Sequence, residues 1–442
     1  MFISHSLILA IFFSLFNLAI TSAVPSIRTT FKARQDSAPD TDTLWWSTEK
    51  PNTVVLDGQR LFLIRERLRN GDRQLESVLN NLLLQADKWM DQGPWSVTTN
   101  NVSIPNGNKH DYASQAPYWW PHNWNDSTSF EKCPYVQRDG VLNPESYQYS
   151  SKKGRLSMFI SSYTLALAWW YTGKPNYRSH AADILNTWFI NECTFMTPSL
   201  QHSQIIPCAN DGSVIGIIDF SQQYTDVLDS VAILSTVYDQ YWNKSMEQAF
   251  RQWNSDFLIW LTSSEFGMTE LNAKNNHGTF ARLQIAGIAA YVGDTDLARS
   301  MIQGTRDIID KYITANGSQP LELSRTRSWH YSSFNLVAYT RLADIGSQIG
   351  IDLWGYRGPE GQSITKAVEF LIPYATGSEP WPYKELNFLY YAPSDSINAA
   401  ADHGSVYAKM ALQNQTECPP VGDQWSLRPA AEQLDNIIRT DG

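Results

Sequence analysis

Apolar side chains recur at three- and four-residue spacing along most of this chain. Leu75, Val78, Leu79, Leu82 and Ala86 share one face, as do Tyr224, Val227, Leu228, Val231, Leu234 and Tyr238. Phe250, Trp253, Phe257 and Trp260 repeat the pattern, and so do Ile364, Ala367, Val368 and Leu371. Few segments alternate with the period of two that marks a strand, so the fold class predicted is all-α. Two segments echo each other. Tyr171 to Tyr177 and Tyr291 to Leu297 carry Tyr, Gly and an apolar residue at the same offsets, with Gly173 and Gly293 at the expected helix ends. Antiparallel helix pairs joined by short turns are predicted. Pairs closed into a ring make an α/α toroid with a central groove, whereas the rival solenoid would need a fixed short repeat period that the chain lacks.

The N-terminus is different. Residues 7–20 are almost wholly apolar and Thr21, Ser22 and Ala23 follow, which predicts a secretory signal over residues 1–23. Residues 24–50 are polar and aperiodic and are expected to be a flexible linker or pro-segment. Ordered structure is expected to begin near Val54, with a single helical domain over residues 51–442. No later run is long and apolar enough to cross a membrane, so a secreted, extracellular chain is expected, with no membrane contact after signal cleavage. Sequons at Asn101, Asn125, Asn243, Asn316 and Asn414 agree with that expectation.

With 442 residues and 43% hydrophobic composition, there is ample material for a large core. The formal net charge of -10 makes nucleic acid an improbable partner. The same field would repel an acidic polymer unless a local basic cleft receives it. Lys109, His110, His277, Arg325, Arg327 and His330 are the candidates. Cys133, Cys193, Cys208 and Cys418 show no metal-ligand spacing. Cys193 and Cys208 bracket a short loop and are expected to pair, leaving Cys133 with Cys418.

Three runs carry the candidate chemistry. Asn275-Asn276-His277 stands just before an apolar helical pattern, where one Asn could simply be the cap; alternatively Asn276 and His277 face a groove at the positive end of the helix. The run from Arg325 through Arg327, Trp329, His330 and Tyr331 to Phe334 crowds two arginines, a histidine and aromatics ahead of another helix. Trp329 and Phe334 are expected in the core. Tyr112 to Pro121 places Tyr112, Tyr118, Trp119 and Trp120 on a proline-bounded segment, either as core plugs or as faces on which sugars stack; one platform and one plug is expected of the two tryptophans. An amide, an imidazole, a guanidinium and a phenol together suit removal of a proton from a carbon beside a carboxylate. They point to cleavage of an acidic polysaccharide by elimination.

Asn276-His277 at a helix start, the later Arg325 and Tyr331, and the run from Asp111-Tyr112 to Pro117-Tyr118-Trp119-Trp120-Pro121 resemble the alginate lyase family of polysaccharide lyases, over roughly Asp87 to Tyr374. The resemblance implies an incomplete α/α toroid and β-elimination of an alginate- or glucuronan-type polymer. It also implies that Asn276 and Arg325 neutralise the uronate carboxylate while His277 and Tyr331 handle the proton transfers. Arg327 is an alternative to Arg325. Lys109, His110, Tyr112, Tyr118, Trp119, Trp120, Arg327 and His330 are expected to bind substrate, with no metal or cofactor, and the enzyme is expected to be a monomer. Two other classes stay open. A toroidal glycoside hydrolase would use paired carboxylates, Asp219 with Glu145 or Glu322, and a non-catalytic sugar-binding protein would keep the groove alone.

Overall fold

In the computed structural model, residues 47–125, 131–213, 215–221 and 223–427 are described. The expected signal segment and residues 24–46 lie outside them. The helices are α1 (Gly58–Arg69), α2 (Arg73–Trp89), α3 (Ser150–Thr172), α4 (Pro175–Phe189), α5 (Tyr224–Leu234), α6 (Lys244–Ser263) and α7 (Glu265–Leu271). They continue with α8 (Asn276–Val292), α9 (Thr295–Tyr312), α10 (Pro320–Leu323), α11 (Ser328–Gln348), α12 (Ile364–Ala375), α13 (Ser394–Asp402) and α14 (Val406–Ala411).

Burial sorts them into two layers. Helices α3, α5, α8 and α11 are buried around most of their circumference. Helices α2, α6, α9 and α12 bury one stripe and leave the other face to water. The inner helices α3 and α8 are each followed by an outer one across a tight turn, α3 packing on α4 as α8 packs on α9. The two turns are those predicted from the repeated Tyr–Gly pattern. Gly173 (φ 70°) and Gly293 (φ 92°) end α3 and α8 in the left-handed conformation that only glycine adopts without strain. The architecture is an incomplete α/α toroid of helix hairpins. Tyr238, expected on the face of Tyr224, lies beyond the end of α5 and is exposed. All five sequon asparagines are exposed, and among the described residues no helix is long and apolar enough to cross a membrane.

Short strands sit at the groove. β1 (Ala113–Gln115) pairs in parallel with β4 (His202–Ile205). β2 (Trp119–Pro121) and β3 (Tyr135–Gln137) form an antiparallel hairpin that sets Trp119 against Gln137 and Pro121 against Tyr135. The disulfide joins Cys133 to Cys208; it is neither of the expected pairs, and Cys193 and Cys418 are free and exposed. The loop between Cys193 and Cys208 contains β4, which runs off to pair with β1. Cys208 is therefore carried to the β2–β3 hairpin rather than back toward its sequence neighbour.

Candidate active site

A cavity of about 600 Å³ opens between the N-termini of α8 and α11, the body of α3, and the hairpin. The first turns of α8 and α11 face it because their backbone N–H groups are satisfied from elsewhere. Asn275 is the N-cap of α8, yet its side chain makes no capping hydrogen bond. Instead the Glu322 carboxylate on α10 accepts from the Asn276 backbone N–H and from its Nδ2, both at 2.7 Å. At α11 the Glu385 carboxylate accepts from the backbone N–H of Trp329 (2.9 Å) and His330 (3.1 Å). A remote carboxylate at a helix N-terminus does the work of a cap and also answers the helix dipole. Residues at both helix starts line the cavity: Asn275, Asn276, His277, His330 and Tyr331.

His277 is held by its Nδ1, 2.7 Å from Oε1 of Glu270. That carboxylate also accepts from the backbone N–H of Ile217 and Ile218. Burial raises the Glu270 carboxyl above its ordinary range, with His277 and the two N–H groups opposing. The imidazole is thus fixed in orientation with Nε2 as its unengaged nitrogen. Tyr331 lies on α11 with the Arg325 guanidinium 3.7 Å over its ring, and its hydroxyl donates to the Tyr118 hydroxyl at 3.0 Å. Burial and Tyr118 push the Tyr331 phenol well above its usual value, and the opposing pull of Arg325 is smaller. It therefore rests protonated.

Arg325 is bound to Asp139 through Nε and Nη2, the latter at 2.5 Å, and Thr326 donates to the same carboxylate. Burial would raise the Asp139 carboxyl, but Arg325 and Thr326 outweigh it and hold it below its ordinary range. Gly140 (φ 74°) lets this turn approach closely, since a Cβ there would meet Thr326 Oγ1 at 2.5 Å. Arg327 also lines the cavity, 3.9 Å from Glu385, and its Nη2 is buried without a hydrogen-bond partner. Burial, Arg327 and Arg325 keep the His330 imidazole well below its ordinary value, hence neutral.

Of the expected site residues, Asn276, His277, Arg325, Tyr331, Tyr118, Arg327 and His330 meet in this one cavity. The others do not. Tyr112 is fully buried and its hydroxyl donates to Asp219 at 2.9 Å, so it backs the wall. Trp119 packs on the small cluster of Ala116, Tyr135 and Ile206. Trp120 donates from Nε1 to the Val141 carbonyl, with the Arg138 guanidinium 4.8 Å from its ring. Neither indole lines the cavity, and the aromatic ring this segment presents there is Tyr118. Lys109 is exposed away from the cavity, and His110 is tied to Phe195 by its Nδ1 and by ring contact. Of the expected basic residues, His277, Arg325, Arg327 and His330 line the cavity, and Lys152 and Arg155 of α3 join them.

The carboxylates proposed for hydrolysis are otherwise engaged. Asp219 accepts from Tyr112, Ser114 and Gln204; Glu145 holds Lys132 and Tyr135; Glu322 holds Asn276. Asp139 and Glu385 escape a reading of sequence because each reaches its partner across the fold. Glu270, seven residues before His277, is the nearest to a local signal. Among the described residues no group of His, Cys, Asp and Glu is arranged to hold a metal ion.

The family model described as alginate lyase matches residues 96–381, close to the span expected from sequence. No curated protein sequence matches the chain. Among solved structures, an alginate lyase from Bacteroides ovatus is 29% identical; the alignment covers 86% of this chain and 100% of that one, with a TM-score of 0.79. A variant of alginate lyase A1-III, an enzyme from Sphingomonas species A1, in complex with a tetrasaccharide is 16% identical over 86% of this chain and 98% of that one. Its TM-score of 0.54 shows a shared fold. With the family model covering well over half of its length, this chain belongs to the alginate lyase family and is a polysaccharide lyase.

Proposed function

We propose that the enzyme cleaves a uronate polymer of the alginate or glucuronan type by β-elimination. The observation that carries this reading is the convergence of two proton-transfer groups, each with its own support, on one cavity. His277 is held on Glu270, and Tyr331 lies beneath Arg325. Asn276 keeps a second Nδ2 hydrogen beyond the one given to Glu322, and Arg325 keeps Nη1 beyond its bonds to Asp139. With Arg327 Nη2 available beside them, these donors neutralise the carboxylate, so the charge that develops when H5 leaves is stabilised. Tyr331, neutral at rest, delivers its proton to the departing O4. Where H5 and O4 lie on opposite faces of the ring, His277 takes H5. Where they share a face, Tyr331 first gives its resting proton to solvent as the substrate carboxylate binds; the phenolate, stabilised by Arg325, then takes H5 and returns it to O4.

The test is to incubate the purified protein with polymannuronate, polyguluronate and glucuronan and to follow absorbance of the unsaturated product. A new double bond from at least one of them is expected. Fragments without ultraviolet absorbance would indicate hydrolysis and end the elimination reading.

A further inference from the structure

Arg155 on α3 has no assigned part in the chemistry above. It is 3% exposed, it lines the cavity, and its Nε and Nη1 are buried without a hydrogen-bond partner. The Asp219 carboxylate, which lines the same cavity, is committed elsewhere. Asp219 already accepts from the Tyr112 hydroxyl, the Ser114 hydroxyl and Gln204 Nε2. Arg155 lies 5.7 Å from the Phe159 ring, and Lys152, one turn earlier on the same helix, lines the same cavity. Guanidinium N–H groups removed from water and given no acceptor are destabilising, and buried polar groups left in that state call for an explanation. An anion arriving in the cavity supplies one.

We infer that Arg155, with Lys152 beside it, is a second carboxylate subsite, which receives the uronate next to the one being cleaved. This rests on the uronan reading above and deepens it. The carboxylate at the reaction centre is met from α8 and the loop before α11, whereas Arg155 projects from α3, another wall of the same cavity. One hexuronate carries one carboxylate, so both groups are used together only when neighbouring rings are both uronates. Arg155 therefore sets how much a neighbouring uronate adds to binding, a gain that a polymer alternating uronates with neutral sugars forgoes.

The test is a calorimetric titration of two tetrasaccharides, one of contiguous uronates and one alternating, into Tyr331→Phe and into Tyr331→Phe with Arg155→Gln. A charge-assisted bidentate contact predicts that Arg155→Gln weakens the contiguous ligand about 10–100-fold and leaves the alternating one nearly unchanged. Arg155→Lys should retain part of the binding. Because the variant removes an uncompensated buried charge, the thermal midpoint of the unliganded protein should hold or rise. No weakening, equal weakening of both ligands, or a lowered midpoint accompanying the loss would each overturn the subsite. If the wild-type protein yields no unsaturated product from any uronan, elimination is wrong, and the same titrations on wild type still decide whether Arg155 binds a carboxylate.

Discussion

Tyr331→Phe takes one oxygen from a buried ring and leaves its contacts with Arg325 and His330 in place. Loss of a general acid predicts a fall in turnover of about 10²–10⁴-fold with little change in oligosaccharide binding, measured by steady-state kinetics and titration. Glu270 tests a different point. Its carboxylate fixes the ring of His277, as an orienting acid does behind a catalytic histidine. Glu270→Gln should lower kcat by at least about tenfold on substrates where His277 takes the proton, and should alter the pH profile on its acid limb. An unchanged profile would show that His277 does not depend on this partner. The bonds from Glu270 to Ile217 and Ile218 also predict some loss of stability, which a melting curve run alongside would separate from the kinetic effect.

Among the elements, the hairpin of β2 and β3 depends most on a single covalent link. It carries Tyr118 on one flank and Gln137 and Asp139 on the other, all in the cavity wall, and Cys133 ties it to the segment after β4. The bond spans 75 residues of chain. Replacing both Cys133 and Cys208 by Ser should cost about 2–4 kcal/mol in denaturant unfolding, and should raise KM because Tyr118 and Asp139 lose their fixed placement. Cys193→Ser, at an exposed free thiol, is the control expected to do neither. The turn between α8 and α9 supplies a purely conformational test. A Cβ on Gly293 would meet nothing within 4 Å, so Gly293→Ala isolates the cost of the left-handed backbone, about 1 kcal/mol, with activity preserved.

For the molecule as a whole, the start of the domain is fastened by Asp229 of α5, which accepts from the backbone N–H groups of Val54, Val55 and Leu56. Burial outweighs those donors and pushes its pKa up to about 7. A carboxyl that binds its proton more tightly when folded stabilises most below its unfolded pKa of about 4 and loses that contribution as pH rises through about 7. Melting midpoints measured from pH 5 to 8 should show this decline, and Asp229→Asn should flatten it. Much of the architecture was legible because helices advertise themselves locally. The apolar stripes and the pair Gly173 and Gly293 need only their near neighbours to be read. The lining of the candidate site was legible in part, since Asn276, His277, Arg325 and Tyr331 are crowded into two runs. The carboxylate partners of Asn276 and Arg325 come from far along the chain, and the contacts of Trp119 and Trp120 are made with segments distant in sequence, so neither leaves a periodic trace. The cysteine pairing failed for a related reason, because nearness in sequence ignores where β4 carries the chain. The carboxylates around Arg325 and Arg327 have one more consequence. Asp139 and Glu385 balance these cations before any sugar arrives, so an incoming polyanion shares their charge rather than capturing it outright. Such a site gives up tight grip for rapid exchange, and shortened chains should depart easily, with product inhibition remaining weak even late in a digest.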